Sequence, residues 1–125
     1  VLMEHVLPRG VVDSSVRNVY GNPSKVTPEL VDRYYDLTLR TGNRQALAFR
    51  LEQYPSGEEA NIRNLNVPTL ILWGAKDRLI PMETAKRFEA DIKGSRLVIF
   101  EDLGHVPQEE DSARTVEALK NFLML

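Results

Sequence analysis

The stretch at residues 67–111, VPTLILWGAKDRLIPMETAKRFEADIKGSRLVIFEDLGHVPQEED, decides how this chain folds. It holds two short apolar runs, Thr69–Trp73 and Arg96–Phe100. The first is bounded by Pro68 and Gly74, and both are the length of a strand buried on its two faces. Between them, METAKRFEADIKG places Ala85, Phe88 and Ile92 on one helical face and ends at Gly94, a helix-stop residue. After the second run, SARTVEALKNFLML sets Val116, Leu119 and Leu123 on one face of a last helix. Strand, helix, strand, helix is the α/β order, and it implies parallel pairing. A parallel crossover is right-handed in nearly all cases, so the carboxyl ends of both strands reach the same sheet edge. Ligands bind at that edge in α/β folds.

The loop after the first strand carries Asp77 and the loop after the second carries His105. Neighbouring strands lie roughly 4.8 Å apart, so these two side chains can meet. Glu101 and Asp102 are closer to His105 in sequence but share its short loop, which suits solvent contact or a turn. Imidazole titrates near neutral pH and can carry a proton between a nucleophile and a leaving group. A carboxylate on its other nitrogen fixes the tautomer. Glu109, Glu110 and Asp111 precede or open the last helix, where negative charge suits the dipole and free N–H groups need acceptors. One of the glutamates is expected to pin the histidine loop, and none to be catalytic. Gly104 and Pro107 read as backbone-shaping residues, and Trp73 as core or pocket wall.

Upstream, the first third reads as helical. In VTPELVDRYYDLTLRTGN, Thr27 is the expected N-cap, Pro28 the first helical residue and Gly42 the residue just past the end. Leu30, Tyr34 and Leu37 form its stripe, widened by Val31 and Tyr35. Asn43 is expected to cap a second helix, RQALAFRLEQY, with Leu47, Leu51 and Tyr54 on one face, before a turn in YPSGEE. Tyr34, Tyr35 and Phe49 serve either helix packing or a substrate pocket.

At 125 residues with 42% apolar and 27% charged side chains, one globular domain is the expectation. A net charge of −2 leaves no basic excess, which argues against a nucleic-acid partner. There is no cysteine, and His5 and His105 lie too far apart in sequence for a paired-histidine motif, so no metal is expected. His5 has no evident partner. No glycine-rich phosphate or dinucleotide motif occurs, so no cofactor is expected. No apolar run approaches membrane-spanning length. The compartment is open, with the cytoplasm as the default and any signal or anchor expected upstream of Val1.

The 67–111 stretch resembles the C-terminal portion of α/β-hydrolase fold enzymes, such as esterases and lipases. There a strand followed by WG..D...P carries the triad acid, and a strand followed by GH.P..E carries the base. The resemblance implies that Asp77 is the acid and His105 the base. It covers Asn66 to the end closely, and Ser112 stands where several members have proline. Residues 1–57 look like the family's helical lid, and residues 58–125 like the C-terminal part of the core, with an incomplete sheet. The family's nucleophile sits in G-x-S-x-G ahead of the acid and base, and none of Ser14, Ser15, Ser24, Ser56, Ser95 or Ser112 stands in that context. The oxyanion hole is absent too.

The chain is therefore expected to be part of a longer hydrolase, inactive alone. Its partners would be the N-terminal portion of the same enzyme and a small-molecule substrate, an ester by analogy. Members resembling dehalogenases or epoxide hydrolases, with an aspartate nucleophile, and non-catalytic binding members remain alternatives. Unpaired strand edges imply self-association of the chain by itself.

Overall fold

The computed structural model describes residues 7–53 and 58–124. Helices α1 (Arg9–Val19), α2 (Pro28–Leu39) and α3 (Asn43–Glu52) come first, with a 3₁₀ turn at Pro23–Lys25. A second 3₁₀ turn at Glu58–Asn64 leads to β1 (Leu70–Gly74), α4 (Met82–Asp91), β2 (Arg96–Phe100), the short α5 (Pro107–Glu110) and α6 (Ser112–Leu123).

The two strands pair in parallel, from Leu70 beside Arg96 to Gly74 beside Phe100. The α/β reading therefore holds, with β1 starting one residue later than the apolar run suggests. Helix α4 is the crossover and packs on both strands. It presents the buried Ala85, with Ile92 buried just past its end, and the Phe88 ring lies 6.5 Å from that of Trp73. Gly94 follows at a φ of 76°, a left-handed conformation open to glycine, and turns the chain into β2.

Burial on both strand faces is not observed. Leu70 to Trp73 are only half-buried and Ile99 is exposed, because the sheet of the described residues has just two strands. The stripe on α6 is likewise uncovered. Val116, Leu119 and Leu123 are 47%, 44% and 53% exposed, and the buried residue of this helix is Thr115. The apolar side of α6 thus points away from the protein it packs on.

The first core lies in the helical half. Val12, Val16, Tyr20, Val26 and Val31 form one buried cluster, with Leu30, Tyr34, Tyr35 and, from beyond β2, Val106 packed against it. Val31 is its centre on α2, while Leu37 is exposed, so the buried stripe is rotated towards Val31 from the Leu30–Tyr34–Leu37 line. Thr27 caps α2 as expected, its hydroxyl accepting from the Leu30 amide at 3.2 Å. Asn43 is not the cap of α3. Gly42 holds that position at a φ of 87°, and the Asn43 side chain instead donates backwards through Nδ2 to the Leu37 carbonyl at 2.6 Å. Leu47 and Phe49 on α3 are exposed; the Leu51 side chain, Tyr54 and the first part of the YPSGEE turn lie outside the described residues. Helix α1 has no counterpart among the helices read from sequence: Pro8 precedes it without a side-chain cap, and Asp13, Ser14, Ser15 and Asn18 dilute its valine stripe.

Candidate active site

The β1 and β2 loops are joined before any side chain acts. The Ala75 amide donates to the Phe100 carbonyl at 2.8 Å and the Lys76 amide to the Leu103 carbonyl at 2.9 Å. Asp77 sits in a tight turn, its Oδ1 accepting from the Leu79 and Ile80 amides at 2.8 and 3.0 Å. Its Oδ2 faces His105 Nδ1 at 2.8 Å. The Asp77 side chain is 5% exposed and that of His105 32%, so the acid is enclosed and the imidazole reaches the surface. Burial pushes the Asp77 carboxyl up, but the Ile80 amide, the His105 ring and the Leu79 amide outweigh it and hold it below the ordinary carboxylate value.

The histidine loop is held just as closely. The His105 amide donates to the Val19 carbonyl at 2.7 Å, and the Gly104 amide to Glu110 Oε2 at 2.8 Å. Of the three acidic residues that follow the histidine, Glu110 is the one that pins the loop. It is 8% exposed and also accepts from the Gly21 and Asn22 amides, at 2.8 Å each. A Cβ on Gly104 would collide with the Gly21 nitrogen and the Val19 oxygen; one on Gly74 would collide with the Leu103 and Gly104 carbonyls. Both positions demand glycine through close backbone approach, with no positive φ involved.

The other acids fall elsewhere. Asp102 is exposed and pairs with Arg114 at 2.8 and 3.0 Å, whose guanidinium holds its carboxyl low. Glu101 is exposed in the turn. Asp111 caps α6 through the Arg114 amide at 3.1 Å. Glu109 accepts from the Tyr34 hydroxyl at 2.7 Å; burial and that carboxylate push the phenol up. Tyr34 and Tyr35 pack on the helical core, Phe49 is exposed, and His5 lies outside the described residues. Trp73 Nε1 is buried without a hydrogen-bond partner among the described residues.

Sequence reasoning missed Arg78. Its guanidinium donates to the carbonyls of Asn18, Tyr20 and Gly21 at 3.2, 2.7 and 3.3 Å, and only its place beside Asp77 hinted at a role. Among the described residues no group of three or more His, Asp or Glu side chains is placed to hold a metal ion, and no helix is long and apolar enough to cross a membrane.

A parallel strand pair with an acid loop and a histidine loop meeting at one edge has a counterpart among known families. The model of the alpha/beta hydrolase fold family matches residues 7–112. The chain belongs to the α/β hydrolase fold family. Relatives within the family include a 2-hydroxy-6-oxononadienedioate/2-hydroxy-6-oxononatrienedioate hydrolase of Escherichia coli, 32% identical over 107 residues, covering 78% of this chain and 36% of the relative. An uncharacterized hydrolase of Bacillus subtilis is 35% identical over 66 residues, 53% of this chain and 24% of the relative. The chain thus spans about a quarter to a third of the length of these curated relatives. Among solved α/β hydrolase folds, a serine hydrolase involved in carbazole degradation superposes with a TM-score of 0.83 at 23% identity, over 99% of this chain and 50% of that one. An esterase from Exiguobacterium antarcticum superposes with a TM-score of 0.75 at 22% identity, over 94% and 43%. At these identities the superpositions speak for the fold alone.

Proposed function

We propose that this chain carries the acid and the base of a hydrolase, Asp77 and His105, and that the nucleophile comes from a segment outside it. The observation that supports this reading best is the 2.8 Å contact between His105 Nδ1 and the enclosed Asp77 Oδ2. With Nδ1 engaged, Nε2 is the nitrogen that takes the proton from the nucleophile's hydroxyl as its oxygen attacks the substrate carbonyl. The same proton passes to the leaving alkoxide as an acyl-enzyme forms. Water, deprotonated in its turn by Nε2, then releases the acid and restores the hydroxyl. Asp77 stays ionised throughout and stabilises the imidazolium. Residues 1–57 act as a helical lid, and residues 58–125 as the C-terminal part of the core.

The substrate in this reading is a small carboxylic ester. A second reading, cleavage of a carbon–carbon bond next to a ketone in a 2-hydroxy-6-oxo-dienoate-type acid, is favoured by the E. coli relative, which is named for such substrates and matches 78% of the chain. Both need the same base. A fluorophosphonate label on the full-length protein, with turnover of p-nitrophenyl esters and of a synthetic 2-hydroxy-6-oxo-dienoate, tests the proposal. Labelling of an upstream serine with turnover of either substrate supports it, and the substrate turned over chooses between the readings. An aspartate at that position moves the protein to the dehalogenase or epoxide-hydrolase type. A serine there with neither label nor turnover leaves a binding member of the fold and sinks the hydrolase reading.

A further inference from the structure

The stretch Asn18–Asn22, which runs from the last two residues of α1 to the first 3₁₀ turn, is gripped from both candidate catalytic loops. Arg78, next to Asp77, takes the carbonyls of Asn18, Tyr20 and Gly21. The carbonyl it skips, that of Val19, accepts the amide of His105 itself. Glu110 takes the amides of Gly21 and Asn22, and with the same Oε2 the amide of Gly104. One short peptide thus has its oxygens turned to a cation on the acid loop and its nitrogens to a carboxylate behind the histidine. We infer that Arg78 and Glu110 are positioning residues, which hold Asn18–Asn22 as a rigid backstop against which the His105 backbone is set so that its imidazole meets Asp77.

Three features make this more than general packing. Gly104 and His105 are consecutive, and the amide of each is fixed: one by Glu110, the other by Val19, which belongs to the same stretch that Glu110 also holds through Gly21 and Asn22. A shift of the backstop therefore moves the histidine backbone directly. The close approach of Gly21 and Gly104 leaves no side chain between the two segments to absorb such a shift. Val106, immediately after the histidine, packs on the same helical core that contains Tyr20, so the contact continues into the next residue of the chain. The two residues reach the active-site geometry through backbone alone, and neither is required to touch substrate.

The kinetic part of the test rests on the hydrolase reading; the spectroscopic part does not. In full-length protein, Glu110→Gln keeps the size of the side chain but replaces one acceptor oxygen with a donor, so either the Gly21 and Gly104 amides or the Asn22 amide loses its acceptor. Arg78→Lys keeps the charge but loses the planar fork that spans three carbonyls. With folding verified by circular dichroism, the readouts are the Nδ1–H resonance of ¹⁵N-labelled His105 and the kinetics on a p-nitrophenyl ester. The expected result is a displaced or exchange-broadened Nδ1–H signal in both variants, and a kcat lowered by about ten- to a hundred-fold in Glu110→Gln with KM nearly unchanged, since a misplacement on the order of 1 Å can cost that much. Folded variants with an unaltered Nδ1–H signal overturn the inference, whatever their rates, and so does a rise in KM with kcat unchanged. If Glu110→Gln does not fold, Arg78→Lys, at a more exposed position, carries the test. A wild-type protein that turns over neither an ester nor a 2-hydroxy-6-oxo-dienoate removes the hydrolase reading and leaves the Nδ1–H signal to decide this one.

Discussion

His105 Nδ1 and Asp77 Oδ2 lie 2.8 Å apart, although 28 positions separate the two residues in the chain. The other Asp77 oxygen is committed to the Leu79 and Ile80 amides, so the carboxylate cannot turn. This makes the outcome of Asp77→Asn specific. The carboxamide oxygen must stay on the two amides, which directs its NH₂ at His105 Nδ1 and drives the ring proton to Nε2, where it blocks proton acceptance. If the full-length protein hydrolyses an ester as proposed, its kcat should fall by about three to four orders of magnitude, as expected for a wrong-tautomer histidine. Asp102→Asn, which touches only the exposed pair with Arg114, should leave kcat within about two-fold. Equal losses in the two variants would assign the acid wrongly.

The same carboxylate links stability to pH. Burial raises its pKa, but the Ile80 amide, the imidazole and the Leu79 amide lower it by more, so the native value lies below the unfolded one. Such a group stabilises the fold at pH above the unfolded value of about 3.9, and that stabilisation is lost as pH falls through the lowered native value. Urea midpoints of wild type and Asp77→Asn should therefore differ by a constant amount near neutrality and converge below about pH 4. A gap that widens on acidification would contradict the sign.

Close backbone contact predicts opposite effects for two glycine-to-alanine changes. A Cβ at Gly104 would strike the Gly21 nitrogen and the Val19 oxygen, neither of which can rotate away, whereas at Gly10 it meets nothing within 4 Å among the described residues. Gly104→Ala should cost about 2–4 kcal/mol and displace His105. Gly10→Ala, inside α1, should stabilise by about 0.4–1 kcal/mol. Thermal melts of the two variants check both signs.

The second half of the fold was readable because its signals are local. Apolar runs bounded by Pro68 and Gly74 became a strand within one residue, Arg96–Phe100 matched in full, and the parallel order followed from the intervening helix. The meeting of Asp77 with His105 also followed, since parallel strands bring their carboxyl ends to one edge. What was not readable depends on contacts distant in sequence. Arg78 gives no periodic or capping signal, and its role exists only because Asn18–Gly21 folds back over the acid loop. Glu110 was distinguishable from Glu109 and Asp111 only by where α5 aims it. The apolar stripe of α6 was legible as a pattern, but its exposure was not, because periodicity shows that a face is apolar and not what covers it.

That uncovered face gives the last prediction. Val116, Leu119 and Leu123 are about half exposed, both strands have an outer edge without a partner among the described residues, and Ile99 is exposed on β2. Contiguous apolar surface beside open strand edges drives association. The 125-residue chain in isolation should therefore sediment as a concentration-dependent oligomer. Leu119→Glu should raise its solubility by placing a charge in the stripe. In a full-length protein whose remaining sheet and helices cover α6, the same substitution buries that charge and should destabilise by more than about 2 kcal/mol. The opposite signs are the diagnostic. A monodisperse monomer of the isolated chain, or a full-length protein indifferent to Leu119→Glu, would show that this face is solvent-facing by design.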